Sequence, residues 1–214
     1  MKKQNLYAGK RLSLQWMTGT SMMIALTLVL ANTPLGMIRM PFLTATTLHI
    51  PVILAVLVLG WEAGVITGLV FGIHSLISNL TGASFFAPFF INPLVSVLPR
   101  AVFPLCVYGV YRIVLRLFGS KGRMAAYVLA AALGTALHTT MVMGMIYLLN
   151  RDRIAQMVAS GAGVPQALAE RGVGMGVAVL GMTNGIPEMI VAAVIAPVIA
   201  LALDRALGRM RPRR

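Results

Sequence analysis

An all-α membrane protein, a single domain built as a bundle of six transmembrane helices, is the fold class that three observations predict. Of the 214 residues, 58% are hydrophobic and only 11% charged, and the mean hydropathy is +0.87. A water-soluble domain carries about 25% charged residues, and disorder needs low hydrophobicity. At roughly 20 apolar residues per span, the chain has room for about six helices with short loops and none for a soluble catalytic domain. The third observation is where the cations fall. Thirteen of the 18 Lys and Arg residues lie at the N-terminus, around the junction of the fourth and fifth apolar segments, and toward the C-terminus. Four lie in the opposite loops (Arg39, Arg151, Arg153, Arg171), and Arg100 lies inside a segment. By the positive-inside rule this places both ends in the cytoplasm, whereas five or seven spans would put a basic end outside. The net charge of +13 could suit nucleic acid, but in so apolar a chain it points to anionic lipid instead.

The first span is expected at residues 14–32. Asn32-Thr33-Pro34 follows it in place of a small-x-small cleavage site, so the segment reads as a retained helix and not a removed signal. A break with Pro34, Gly36, Arg39 and Pro41 leads to a short second segment at 48–59, which rises only about 18 Å unless its flank extends it across Pro51. The third segment, 61–80, carries Gly60, Gly64, Gly68 and Gly72 at intervals of four. Such spacing makes a smooth face for close helix packing or for a partner. A polar, aromatic loop over 81–91 holds Phe85, Phe86, Phe89 and Phe90, which suit either an apolar lid or a membrane-surface contact. The fourth and fifth segments are expected at 92–118 and 123–149. A second long loop at 150–171 precedes the sixth segment, 174–207, with Pro187 and Pro197 inside it.

Polar groups inside apolar helices are costly and therefore informative. Arg100, eight residues after Asn92, costs about 2.5–3.5 kcal/mol on insertion scales and needs an anionic partner. Glu188 is the internal candidate; a ligand carboxylate, gripped by two parallel hydrogen bonds, is the external one. The three histidines, His49, His74 and His138, lie on three different segments without metal-ligand spacing, and neither metal nor cofactor is implied. Asn92-Pro93 is a helix start, with Asn as cap and Pro in the first turn. Asn184 and Glu188 are one turn apart, hence on one face, with Pro187 freeing a backbone carbonyl beside them. The single cysteine, Cys106, permits no intrachain disulfide. No phosphate-binding loop, nucleophile elbow or His-Glu-x-x-His motif occurs. Three function classes remain: a ligand-binding membrane subunit, a membrane-embedded enzyme in which Glu188, His138 and Arg100 converge, and a secondary transporter, which usually carries inverted repeats that are not visible here.

The chain resembles the substrate-binding S components of energy-coupling factor (ECF) vitamin transporters. The resemblance is carried by Leu48-His49-Ile50-Pro51-Val52-Ile53, by Leu-Gly-Trp-Glu-Ala-Gly at 59–64, and by Phe90-Ile91-Asn92-Pro93-Leu94-Val95-Ser96-Val97-Leu98-Pro99-Arg100. These blocks are most similar to the subgroup that includes pantothenate S components. The resemblance implies a bacterial plasma-membrane subunit with a vitamin pocket at its outer side, pantothenate being the first candidate and another small acidic vitamin the alternative. It implies a transmembrane coupling subunit and two ATP-binding subunits as partners, with ATP hydrolysis confined to them. It also implies pocket roles for Arg100, Asn92, His138, Thr139 and Asn184, to which the polar stripe adds Glu188. A phenylalanine-rich lid would cover the pocket. The family's small-x-x-x-small docking face finds its match at Ser21 and Ala25.

Overall fold

The structure is a computed structural model and describes residues 14–39, 44–81, 87–119, 122–160 and 172–210. Helix α1 spans Leu14–Ala31 and buries only Thr20 and Thr27. Seven residues apart, these share one face, and each hydroxyl donates to the carbonyl four residues back at 2.8 Å. The remaining surface of α1 exposes Leu14, Met22 and Val29, which suits a helix immersed in hydrocarbon. The chain then forms a short antiparallel ribbon, β1 (Met37–Arg39) and β2 (Thr44–Thr46), with Met37 opposite Thr46 and Arg39 opposite Thr44.

Helix α2 (His49–Leu54) continues without a break into a π-helical turn, Ala55–Leu59. Every residue from His49 to Leu57 is buried. The segment is apolar on all faces after His49, so it can only sit inside the bundle. Gly60 ends it with φ 109°, a left-handed conformation that glycine adopts without strain. Helix α3 (Trp61–Leu80) starts at the next residue. A one-turn helix, α4 (Ala87–Phe90), and a second, α5 (Pro93–Ser96), precede α6 (Leu98–Phe118). Helices α7 (Arg123–Ala159) and α8 (Val173–Met210) complete the bundle.

Among the described residues, five helical stretches are long and apolar enough to cross a membrane: α1, α3, the Pro93–Phe118 stretch, α7 and α8. Where the sequence predicts a sixth, short span at 48–59, the structure has a shorter apolar helix. His49–Leu59 rises about 17 Å at 1.5 Å per residue, against a hydrocarbon layer of about 30 Å. Surrounding helices cover it, and it forms the hub of the core. The expected loop at 150–171 is also corrected. The chain bends at Asn150 (φ −133°, ψ 16°) but stays helical to Ala159. The fourth segment is interrupted at Val97, where a proline two residues later resists a continuous hydrogen-bond ladder. Residues 1–13 and 211–214, which carry most of the basic ends, and Phe85 and Phe86 of the expected lid lie outside the described residues.

The core has two parts. One surrounds α2, where Ile53, Leu54 and Val56 meet Phe71, Phe103, Tyr127 and Ala196. The other joins Phe89 and Val95 to Val142, Ile146 and Ile154 of α7 and to Val177 and Leu180 of α8. The glycine row of α3 has a packing role. A methyl group built on Gly68 would lie 2.2 Å from the Arg100 carbonyl oxygen, and one on Gly72 would lie 2.9 Å from Val97 Cα. Gly64 faces Val56 and Pro104 in the same way, whereas Gly60 contacts nothing and serves the turn. The α3 backbone thus presses directly on the start of α6. Gly68→Ala should therefore lower the stability of the detergent-solubilised protein by about 1–3 kcal/mol through overpacking. Gly109→Ala, where nothing lies within 4 Å, should leave the melting temperature unchanged or raise it. A scanning thermal denaturation of both variants measures the contrast.

Candidate functional site

Arg100 sits in the first turn of α6, just beyond the break at Val97, and is only 6% exposed. Its guanidinium folds back over α5. Nη1 donates to the carbonyl oxygens of Val95 (3.2 Å) and Ser96 (2.8 Å). The cation lies over the Phe71 ring at 4.9 Å and the Phe90 ring at 5.1 Å. Carbonyl dipoles and ring faces lower the cost of burying this charge but do not neutralise it. No ion pair forms with Glu188: among the described residues, the pairs within 4 Å are Arg123–Asp204 and Arg151–Asp152, both near helix ends. Glu188 is close enough for its charge to act on Arg100, yet Oε1 is taken elsewhere. It accepts the Thr46 N–H at 2.5 Å and the Thr46 hydroxyl at 3.1 Å. The internal partner foreseen for Arg100 instead ties the β ribbon to α8.

His138 of α7 projects into the same region. Its ring meets Phe103 at 4.7 Å and Phe71 at 6.2 Å, and stacks on His49 at 6.3 Å. Thr139 lies against Gly185, where a built methyl would come within 3.0 Å of its Cγ2, so α7 and α8 approach closely there. Thr139 differs from five other helical threonines. Thr20, Thr27, Thr67, Thr135 and Thr140 all return their hydroxyls to a carbonyl four residues earlier at 2.8 Å. The Thr139 hydroxyl is buried and makes no such bond. Asn184, buried one residue before Gly185, has an unpartnered Oδ1.

Among the described residues, the buried side-chain nitrogen and oxygen atoms without a hydrogen-bond partner belong to five residues: His49, Arg100, His138, Thr139 and Asn184. An orphaned buried polar atom costs about 1–3 kcal/mol. A group of them in a well-packed interior therefore marks a place built for polar partners from outside the chain. Four of the five belong to the set expected from sequence. His49 does not; its one signal was a polar ring opening an otherwise apolar, wholly buried segment.

The remaining expected residues fall elsewhere. Asn92 caps α5, its Oδ1 accepting the Leu94 N–H at 3.0 Å, and its half-buried side chain is committed to that cap. Ser21 and Ala25 share an exposed face of α1, away from the buried cluster. Phe89 is buried in the core beside α7 and α8, and Phe90 covers Arg100. His138, Arg100 and Glu188 do not bond to one another: neither His138 nitrogen has a hydrogen-bond partner, and Glu188 does not pair with Arg100. No group of three or more His, Cys, Asp or Glu residues able to hold a metal occurs among the described residues. A lateral groove of about 510 Å³ runs between α7 and α8, past Thr139, Met143, Tyr147, Gly181 and Gly185. It is apolar and opens sideways, so the polar chemistry belongs to the buried cluster, which the groove meets at Thr139.

The tie between Glu188 and Thr46 has a measurable consequence. Glu188→Ala should destabilise the protein by about 1–3 kcal/mol, the range for losing charged hydrogen bonds to a partly buried donor. Limited proteolysis should then cut the 37–46 ribbon faster, and Glu188→Gln, which keeps an acceptor oxygen, should restore most of the protection.

Comparison with known proteins adds two findings. The family model described as ECF transporter, substrate-specific component, matches residues 15–200. The chain is also similar to the pantothenic acid transporter PanT of Lactococcus lactis subsp. cremoris (strain MG1363). The two are 29% identical over 177 residues, covering 75% of this chain and 78% of the relative.

Proposed function

The chain belongs to the family of ECF transporter substrate-specific components, and on that premise we propose that it captures pantothenate at the outer side of a bacterial plasma membrane for ATP-driven uptake. Membership makes it a substrate-binding transport subunit and not an enzyme. Its five long apolar helices fit a multi-pass membrane protein. The observation that carries the choice of ligand is the Arg100 guanidinium, buried, without a carboxylate within 4 Å, and with its own Nε unpartnered. A ligand carboxylate supplies the missing anion, and arginine's planar fork suits it with two parallel hydrogen bonds.

Pantothenate carries one carboxylate, one amide and two hydroxyls. The carboxylate suits Arg100. The amide and hydroxyls suit His138, Thr139 and Asn184, which offer donors and acceptors that the protein leaves unused. Glu188 is engaged by Thr46 of the ribbon and does not compete for Arg100. The similarity to PanT, itself named a pantothenic acid transporter, supports the same vitamin. Asn92 contributes by holding the α5 turn whose carbonyls orient Arg100.

Binding in this account needs no bond chemistry. Energy comes from a transmembrane coupling subunit and two ATP-binding subunits, which dock on the cytoplasmic side of the bundle. Ser21 and Ala25, small and exposed on α1, form a face on which a partner helix can approach closely. Both chain ends face the cytoplasm, as the distribution of basic residues requires.

Two measurements test this reading. Equilibrium binding of radiolabelled pantothenate to the purified protein should be saturable. Arg100→Ala should weaken it at least ~100-fold, the scale of a lost buried charged pair of about 3 kcal/mol, while the fold persists by thermal denaturation. Absence of pantothenate binding by the unaltered protein rejects this vitamin; saturable binding of a different acid would move the assignment to that acid. Separately, Ser21→Leu should reduce co-purification with the coupling subunit and leave pantothenate affinity unchanged. An intact complex removes Ser21 from the docking face.

A further inference from the structure

The three histidines of the chain divide sharply by their surroundings. His74 has a partner at each ring nitrogen, Asn32 Nδ2 and Ser78 Oγ, both at 3.3 Å. His49 and His138 are buried, and none of their four ring nitrogens has a partner. His49 approaches the Thr46 backbone closely enough for a weak hydrogen bond, though the contact falls short of full hydrogen-bond geometry. The two rings come from α2 and α7, segments far apart in the chain, and stack with centroids 6.3 Å apart and planes at 20°. Ring lone pairs lie in the ring plane. In two nearly parallel rings they run side by side and do not converge on one ion, so the pair suits a ligand's hydrogen-bonding groups better than a metal.

Position relative to Arg100 gives the pair a role. Phe71 touches both the Arg100 cation (4.9 Å) and the His138 ring (6.2 Å). His138 in turn stacks on His49, so contacts link Arg100 through Phe71 to His138 and on to His49.

We propose that His49 is a ligand-binding residue, forming with His138 a two-imidazole wall that reads the hydroxyl-bearing, uncharged end of the acid held by Arg100. The proposal rests on the pantothenate reading and assigns specificity within it. Each neutral imidazole offers one donor and one acceptor, which suits a hydroxyl, itself both. A site built to bond a hydroxyl rejects the analogue lacking it, because its own groups are then left unpaired. A weak contact with the Thr46 backbone leaves at least one His49 nitrogen unused inside a cluster of Leu48, Ile50, Val52 and Ile53; phenylalanine would fill that space at no polar cost.

The test compares pantothenate with its two monodeoxy analogues, each lacking one hydroxyl, on the unaltered protein and on His49→Phe. The unaltered protein should bind pantothenate at least ~10-fold tighter than one of the analogues, about 1.4 kcal/mol. His49→Phe should lose at least ~10-fold for pantothenate and lose that discrimination, while its ligand-free melting temperature stays level or rises. Unchanged affinity, or an equal loss for all three ligands with discrimination intact, overturns the proposal. If His49→Phe does not fold, His49→Gln carries the same readout: an altered preference among the three ligands supports the wall, and the unaltered preference rejects it. Failure of the unaltered protein to bind pantothenate at all would sink the vitamin assignment, which is a separate result from a silent His49.

Discussion

A guanidinium buried without a counter-ion is the constraint around which this part of the bundle is arranged. Placing an arginine in an apolar interior costs several kcal/mol unless local dipoles and a partner compensate. Two carbonyls from α5 and two phenyl rings supply part of that compensation. Each depends on a particular feature of the backbone. The break at Val97 lets Arg100 fold back over α5, and the Asn92 cap fixes α5. Gly68 and Gly72 let α3 come close enough to present Phe71 beneath the cation. The remaining deficit is a single negative charge, and Glu188, the one deep carboxylate nearby, is held by Thr46.

Separating Glu188 from Arg100 also separates two tasks that one ion pair would have merged. Had they paired, the site would be neutral and closed, and a ligand carboxylate would have to displace a protein carboxylate at similar cost. With Glu188 bound to the ribbon, the cation keeps no carboxylate within 4 Å among the described residues. Orphaned atoms on His49, His138, Thr139 and Asn184 have the same sense. They lower the stability of the ligand-free protein and raise the selectivity of whatever they bind.

Much of this was legible in the sequence, and the parts that were not share a cause. Composition and apolar runs place the long helices because burial in hydrocarbon depends on segment totals. Arg100, His138, Thr139 and Asn184 stand out because a polar group in an apolar helix needs a reason. The glycine row was visible too, although whether it served packing or sliding required its neighbour, the α6 backbone. What sequence could not give are relations between distant segments. Thr46 and Glu188 lie 142 residues apart, so nothing local in either stretch names the other. His49 was visible as a residue but acquires meaning only from its stack on His138. The 48–59 segment reads as a short apolar helix, but that it forms the hub of the core depends on helices far away in the chain. Helix α7 runs past Asn150 although the following residues are polar, since a charged face tolerates a helix that leaves the hydrocarbon.

The central claim is that Arg100 is kept free for a ligand carboxylate. Comparing the affinity of the unaltered protein for pantothenate and for its primary carboxamide, which differs only in losing the negative charge, tests it most directly. The account predicts at least ~100-fold weaker binding of the carboxamide, about 2.7 kcal/mol, and a gap that vanishes in Arg100→Gln. Equal affinities for the two ligands, or a gap that survives in Arg100→Gln, would contradict it.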